Sequence, residues 1–175
     1  MDIKEAIVAI NQMQADGVIE RYAIGGAVGA TFYLEPVATL DVDIFVDLHS
    51  EPGNLLVSPR PIFEYLKARG GTIEGEHIII GGWPIQFLPP TGPLVEEALS
   101  QAVVNDVEGT AARVFTAEHL AAIALQTGRA KDKARLLQFI EAGALDTERF
   151  QAILARHGLV DAWLKFGRQF LTDAP

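Results

Sequence analysis

Cysteine is absent from the 175 residues. That excludes a disulfide scaffold, thiolate zinc sites, iron–sulfur clusters and a cysteine nucleophile. Long apolar runs are missing too: no stretch approaches the ~18 residues of a membrane span. The opening MDIKEAIVAINQMQ is acidic and amphipathic, unlike a secretory leader with its basic start and apolar run. Basic charge is scarce. Lys+Arg number 14 against 23 Asp+Glu, so the formal net charge is 14 − 23 = −9. A chain of that sign is not held on nucleic acid by bulk electrostatics. The histidines at 49, 77, 119 and 157 show no His-x-x-His or His-Glu-x-x-His spacing, so no zinc site is expected. A cytoplasmic protein without a membrane partner is the expectation.

What is present is a core-forming composition, 49% hydrophobic and 21% charged. It excludes wholesale disorder, and the length suits one domain, typically of ~150 residues, or one core domain with a helical appendage. Glycine and proline concentrate in the first two-thirds of the chain; after Thr116 the pattern is helix upon helix. Apolar residues at 3, 6, 7, 10 and 13 behind Asp2 predict an opening helix stopped by Gly17. A short strand follows over 21–24, then the Gly25-Gly26 turn and a short helix over 27–34. Residues 40–48 form the clearest strand, with Val42, Ile44, Val46 and Leu48 on one face and Asp41, Asp43, Phe45 and Asp47 on the other. Pro59 and Pro61 open a helix ending at Gly70-Gly71, and strands are expected at 77–80 and 85–88. Pro93 starts a helix to about Ala102, and a hairpin is expected at 103–107 and 110–115. Four helices are expected at 116–127, 130–142, 147–157 and 159–171, with Thr116 and Asp146 as N-caps. The fold class is α+β: a core over 1–115 and a helical region over 116–175 packed on it.

The stretch from Tyr22 to Thr31 followed by Thr39-Leu-Asp-Val-Asp-Ile-Phe45 carries the chemistry. Two glycines at a strand-to-helix turn leave N–H groups open beside a helix start, which favours phosphate. Asp41 and Asp43, two apart on a strand, leave the same face with Cα atoms about 7 Å apart. Two such carboxylates can converge on Mg²⁺ and leave room for substrate phosphates. In this order the parts make a layout for phosphoryl transfer. Asp47 shares their face but sits about 13 Å beyond Asp43, too far for one metal. Glu74 and Glu76 read as exposed turn acids, although either could swing in as a substitute acid. His119 opens a helix and reads as surface or core. Arg129, Lys131 and Asp132 form a charged helix start whose basic pair could reach a triphosphate.

These residues resemble the nucleotidyltransferase-fold superfamily, whose signature is a strand ending in Gly-Gly or Gly-Ser, a helix, and an Asp-hydrophobic-Asp strand. Within it the chain is similar to AbiEii-type and related small bacterial nucleotidyltransferase-like proteins. The resemblance covers residues 1 to about 140, including Thr39 and the helix from Glu118 to the Arg129-Ala130-Lys131-Asp132 ending. It implies a mixed sheet flanked by helices with a C-terminal helical bundle. It also implies a nucleoside triphosphate held with Mg²⁺ by Asp41 and Asp43, phosphate at Gly25 and Gly26, and supporting roles for Thr39, Arg129 and Lys131. A nucleotidyl group would then pass to a hydroxyl on an RNA, protein or small-molecule acceptor.

Three departures stand out. The loop over 27–40 is 14 residues, slightly long. Val37 stands where many relatives carry arginine. Gln86, in Pro84-Ile-Gln-Phe87, stands where active members supply a third carboxylate. A glutamine at that catalytic position cannot act as a general base. The second reading is therefore a degenerate nucleotide-binding or toxin/antitoxin-type module, with a cognate antitoxin or a second copy as partner. A third, a small dinucleotide binder, uses Gly26 and Gly29 as the last two glycines of G-x-G-x-x-G, but Ile24 takes the first place.

Overall fold

The computed structural model describes residues 2–36, 38–48 and 58–171. Val37 and His49 lie outside the described residues. The chain opens with α1 (Ile3–Ala15), where Asp2 accepts from the Lys4 N–H as N-cap. Then come β1 (Arg21–Ile24), α2 (Gly26–Ala30), β2 (Val42–Asp47) and α3 (Arg60–Lys67). Strands β3 (Thr72–Glu74), β4 (His77–Ile80) and β5 (Trp83–Leu88) lead to α4 (Pro93–Ser100). The hairpin β6 (Val103–Val107) and β7 (Thr110–Val114) precedes α5 (Ala117–Thr127), α6 (Ala130–Glu141), α7 (Thr147–Arg156) and α8 (Val160–Phe170).

All seven described strands form one mixed sheet in the order β3-β4-β5-β2-β1-β7-β6. β2 lies antiparallel to β1 and parallel to β5, and β1 is parallel to β7. The alternation of β2 assigns its two faces to two cores. Val42, Ile44 and Val46 join Ile7, Ile10, Met13, Ile62 and Leu66 beneath α1 and α3. Phe45, on the other face, packs with Ala23, Phe115, Leu120, Phe139 and Phe150 in the cluster shared by α4 to α8. The C-terminal helices thus cover the sheet face that carries the aspartates. Thr116 and Asp146 cap α5 and α7 as expected, accepting from the His119 and Arg149 N–H groups.

Local differences have local causes. α2 ends at Ala30, and a hydrogen-bonded turn carries the chain to Leu34. The strand expected over 40–48 pairs only over 42–47; Leu40 is exposed and Asp41 immediately precedes the ladder. β3 was not expected from the pattern, since its three residues are all exposed and present no apolar face. It exists because β4 offers an edge, with Thr72 opposite Ile79 and Glu74 opposite His77.

Candidate active-site cleft

Five elements meet at the start of β2: the β1–α2 turn, β2 itself, β5, α5 and the start of α6. Between them lies a cleft of about 540 Å³. Gly26, Thr39, Asp41, Asp43, Gln86, Arg129 and Lys131 all line it. Seven of the eight residues singled out from sequence therefore converge. Gly25, the eighth, stands behind the wall: a Cβ there would lie 2.6 Å from the Phe45 ring, and its N–H is taken by the Asp43 carbonyl. Gly25 lets Phe45 pack close, and only Gly26 faces the cleft.

Asp43 is the centre of the arrangement. Its strand partner across β2–β5 is Gln86, so the two side chains stand side by side on one face. The carboxylate rests against Gly26, where a Cβ would fall 1.9 Å from Oδ2. Among the described residues it accepts no hydrogen bond. Burial raises its pKa, the neighbouring Asp41 raises it further, and Lys131, Arg135 and Arg129 pull it back. A partly buried carboxylate that accepts no hydrogen bond among the described residues, beside a second carboxylate, has the chemistry of a cation ligand. Among the described residues no three His, Cys, Asp or Glu side chains form a preformed metal cage. Mg²⁺ fits such a place, because it needs only one or two carboxylates and completes its shell with water and phosphate oxygens.

Thr39 acts on the backbone: its hydroxyl donates to the Asp41 carbonyl at 3.1 Å and fixes the entry to β2. Arg129 is engaged by buried Asp132 at 2.6 Å, so α6 starts with a salt-bridged cap and Lys131 is left facing the cleft. Asp47 pairs with Arg21 at 2.6 Å, away from the site. Glu74 and Glu76 are exposed, and Glu74 lies in β3 opposite His77.

Sequence reasoning missed four contributing residues. Arg135 lines the cleft one helical turn after Lys131, a signal legible as i, i+4 spacing on α6. Phe45 and Phe115, with ring centroids 4.9 Å apart, give the cleft an apolar floor. His77 reaches Asp41 across the sheet, with Nε2 3.4 Å from Oδ2. His119, by contrast, belongs to the core. Its ring bridges the Thr116 hydroxyl at 2.7 Å and Glu97 at 3.2 Å. Glu97 also accepts from Arg156 and His157, tying α4, α5 and α7 together. Arg156 first, then the histidines, hold the Glu97 pKa down to about 2 against its partial burial.

No family model matches the sequence, and no curated protein matches it. Solved structures do. A nucleotidyltransferase-like antigenic protein from Paracoccidioides brasiliensis aligns with a TM-score of 0.54 at 16% identity, over 91% of each chain. ANT(2″)-Ia in complex with adenylyl-2″-tobramycin aligns with a TM-score of 0.54 at 13% identity, over 88% of this chain and 95% of that one. Among the described residues no helix is long and apolar enough to cross a membrane. With its mixed sheet, its glycine turn against an Asp-Val-Asp strand and these neighbours, the chain has a nucleotidyltransferase-like α+β fold.

Proposed function

We propose that this protein binds a nucleoside triphosphate together with Mg²⁺ and acts as a nucleotidyltransferase on a hydroxyl acceptor. The observation that carries the reading is the Asp43 carboxylate. It is partly buried, without a hydrogen-bond donor among the described residues, next to Asp41 and within the field of Lys131 and Arg135. Asp41 and Asp43 would hold the cation, which supplies charge neutralisation at the phosphates when bound. Lys131 and Arg135 would attract the triphosphate from α6, and Gly26 would let ligand and backbone approach closely. Thr39 keeps Asp41 in place through its carbonyl. The acceptor is a hydroxyl on RNA, on a protein or on a small molecule. The last is in keeping with the nucleotidylated tobramycin seen on ANT(2″)-Ia.

Isothermal titration tests the reading. Triphosphate binding should require Mg²⁺ in the wild type, and an Asp41→Ala, Asp43→Ala double variant should lose that requirement. Equal binding by the two proteins would remove the metal role from these residues.

Gln86 favours a second reading, in which nucleotide binding persists while turnover is weak. It stands beside Asp43 in the parallel ladder. Its amide can hydrogen-bond an acceptor hydroxyl but cannot take the proton, and general-base help is typically worth about 10²–10⁴-fold. In that case the protein serves as an AbiEii-like partner module, engaging a cognate antitoxin or a second copy. A radiolabelled-triphosphate assay against total RNA and lysate separates the two. Robust wild-type transfer abolished by Asp43→Ala supports the enzyme; binding without transfer supports the module.

A further inference from the structure

We propose that His77 is a positioning residue for the Asp41 carboxylate and, through it, for the divalent cation. The inference rests on the metal–nucleotide reading above and adds a residue from outside the glycine turn and the Asp-Val-Asp strand. β4 and β5 pair antiparallel, with Ile78 opposite Ile85 and Ile79 opposite Pro84. One step further along this ladder sets His77 opposite Gln86, which itself pairs with Asp43 in β2. Ile78 and Ile85 point into the core beneath α1 and α3. Alternation therefore turns His77 and Gln86 to the other face, with Asp43. Three polar side chains, Asp43, Gln86 and His77, form a row across three strands. From the end of that row the His77 ring reaches Asp41, with Nε2 3.4 Å from Oδ2 and about a third of each side chain exposed.

A carboxylate oxygen accepts hydrogen bonds, so the contact is that of the Nε2–H tautomer donating a hydrogen bond to Oδ2. That contact restrains the plane of the carboxylate that would hold the cation. The Thr39 hydroxyl already holds the carbonyl of the same residue at 3.1 Å. Asp41 is thus held at its backbone and at its tip, although it lies just outside the β2 ladder that would otherwise order it. The tip matters more here because Gln86 contributes no charge. Two carboxylates alone must hold the cation, and their orientation decides how well they do so. Hydrogen-bonding partners of metal ligands are typically worth 10–100-fold in metal affinity.

The test is a Mn²⁺ titration, read by electron paramagnetic resonance and calorimetry, with and without a non-hydrolysable ATP analogue. The proteins are the wild type, His77→Leu, His77→Gln, Asp41→Asn and the His77→Leu, Asp41→Asn double variant, each checked by thermal melting. His77→Leu removes the donor and should weaken Mn²⁺ binding about tenfold or more. His77→Gln keeps an N–H and should bind close to wild type. In the Asp41→Asn background, His77→Leu should cost nothing further. Wild-type Mn²⁺ affinity in His77→Leu, with affinity lost in Asp41→Asn, overturns the role of His77 and leaves the metal site standing. Equal losses in His77→Leu and His77→Gln, or additive losses in the double variant, assign the ring to packing and overturn it too. Unchanged Mn²⁺ affinity in Asp41→Asn would instead sink the metal reading itself. Should His77→Leu fail to fold, His77→Ala takes its place in the same cycle.

Discussion

A methyl group on Gly26 would stand 1.9 Å from Oδ2 of Asp43. The glycine at the β1–α2 turn and the aspartate in β2 are one packing unit. Gly26 also has φ +58°, a conformation that costs an alanine about 1–2 kcal/mol. Gly26→Ala should therefore lower stability in urea by about 1–3 kcal/mol. It should also weaken Mg²⁺-dependent nucleotide binding, because Asp43 must move. A Gly26→Ala protein of wild-type nucleotide affinity would show that the position of Asp43 is irrelevant to the ligand.

Asp43 carries a pH signature that depends on the cation. Its folded pKa is raised, so the native state takes up a proton before the unfolded chain does as pH falls. Stability from this group is thus greatest at low pH and declines as pH rises from the ordinary carboxylate value through the folded one. Asp43→Asn should stabilise the metal-free protein at pH 7 by about 1 kcal/mol, and the gain should shrink in acid. Added Mg²⁺ should stabilise the wild type and leave Asp43→Asn unmoved. Melting temperatures measured against pH, with and without Mg²⁺, check both signs.

Lys131 and Arg135 should act on phosphate more than on fold. Both line the cleft, and both lower the pKa of Asp43 through space. Lys131→Ala and Arg135→Ala should each weaken triphosphate binding by about tenfold at low salt, with a smaller effect on a monophosphate. The difference should narrow as ionic strength rises. Equal losses for both nucleotides would place these side chains away from the β- and γ-phosphates.

The Glu97 cluster should set the acid limit of the fold. Glu97 is held down to about 2, mainly by Arg156 and then by His157 and His119. Its stabilisation is therefore complete above the ordinary glutamate pKa and is lost as pH falls toward 2. Burial lowers the His119 pKa despite the adjacent Glu97, so the unfolded chain protonates this ring first, and stability begins to fall once pH drops below the ordinary histidine value. Glu97→Gln should cost about 2 kcal/mol or more at pH 7, since hydrogen bonds to a charged group are lost on three partners. Urea midpoints across pH 3–8 that coincide for wild type and variant would remove this cluster from the acid limb.

The sequence by itself determined the elements and the motif. Helical spacing behind Asp2, the N-caps Thr116 and Asp146, the period-two alternation of residues 42–47 and the Gly-Gly turn are local properties, each set by a few neighbouring residues. Asp41, Asp43 and Gly26 were legible for that reason, and Gln86 through the family resemblance of its Pro-Ile-Gln-Phe stretch. Tertiary structure decided everything that depends on which strands become neighbours. Gln86 faces the cleft because β5 runs parallel to β2 in one particular register, and a shift of one residue would turn it to the opposite core. β3 exists only because β4 offers it an edge. His77 meets Asp41 from 36 residues away, Glu97 collects partners from α5 and α7, and Gly25 serves the Phe45 ring where two open N–H groups had been expected. Such contacts join residues far apart in the chain. No periodicity or propensity encodes them; they follow from the sheet order and from the apolar surfaces that the helices must bury.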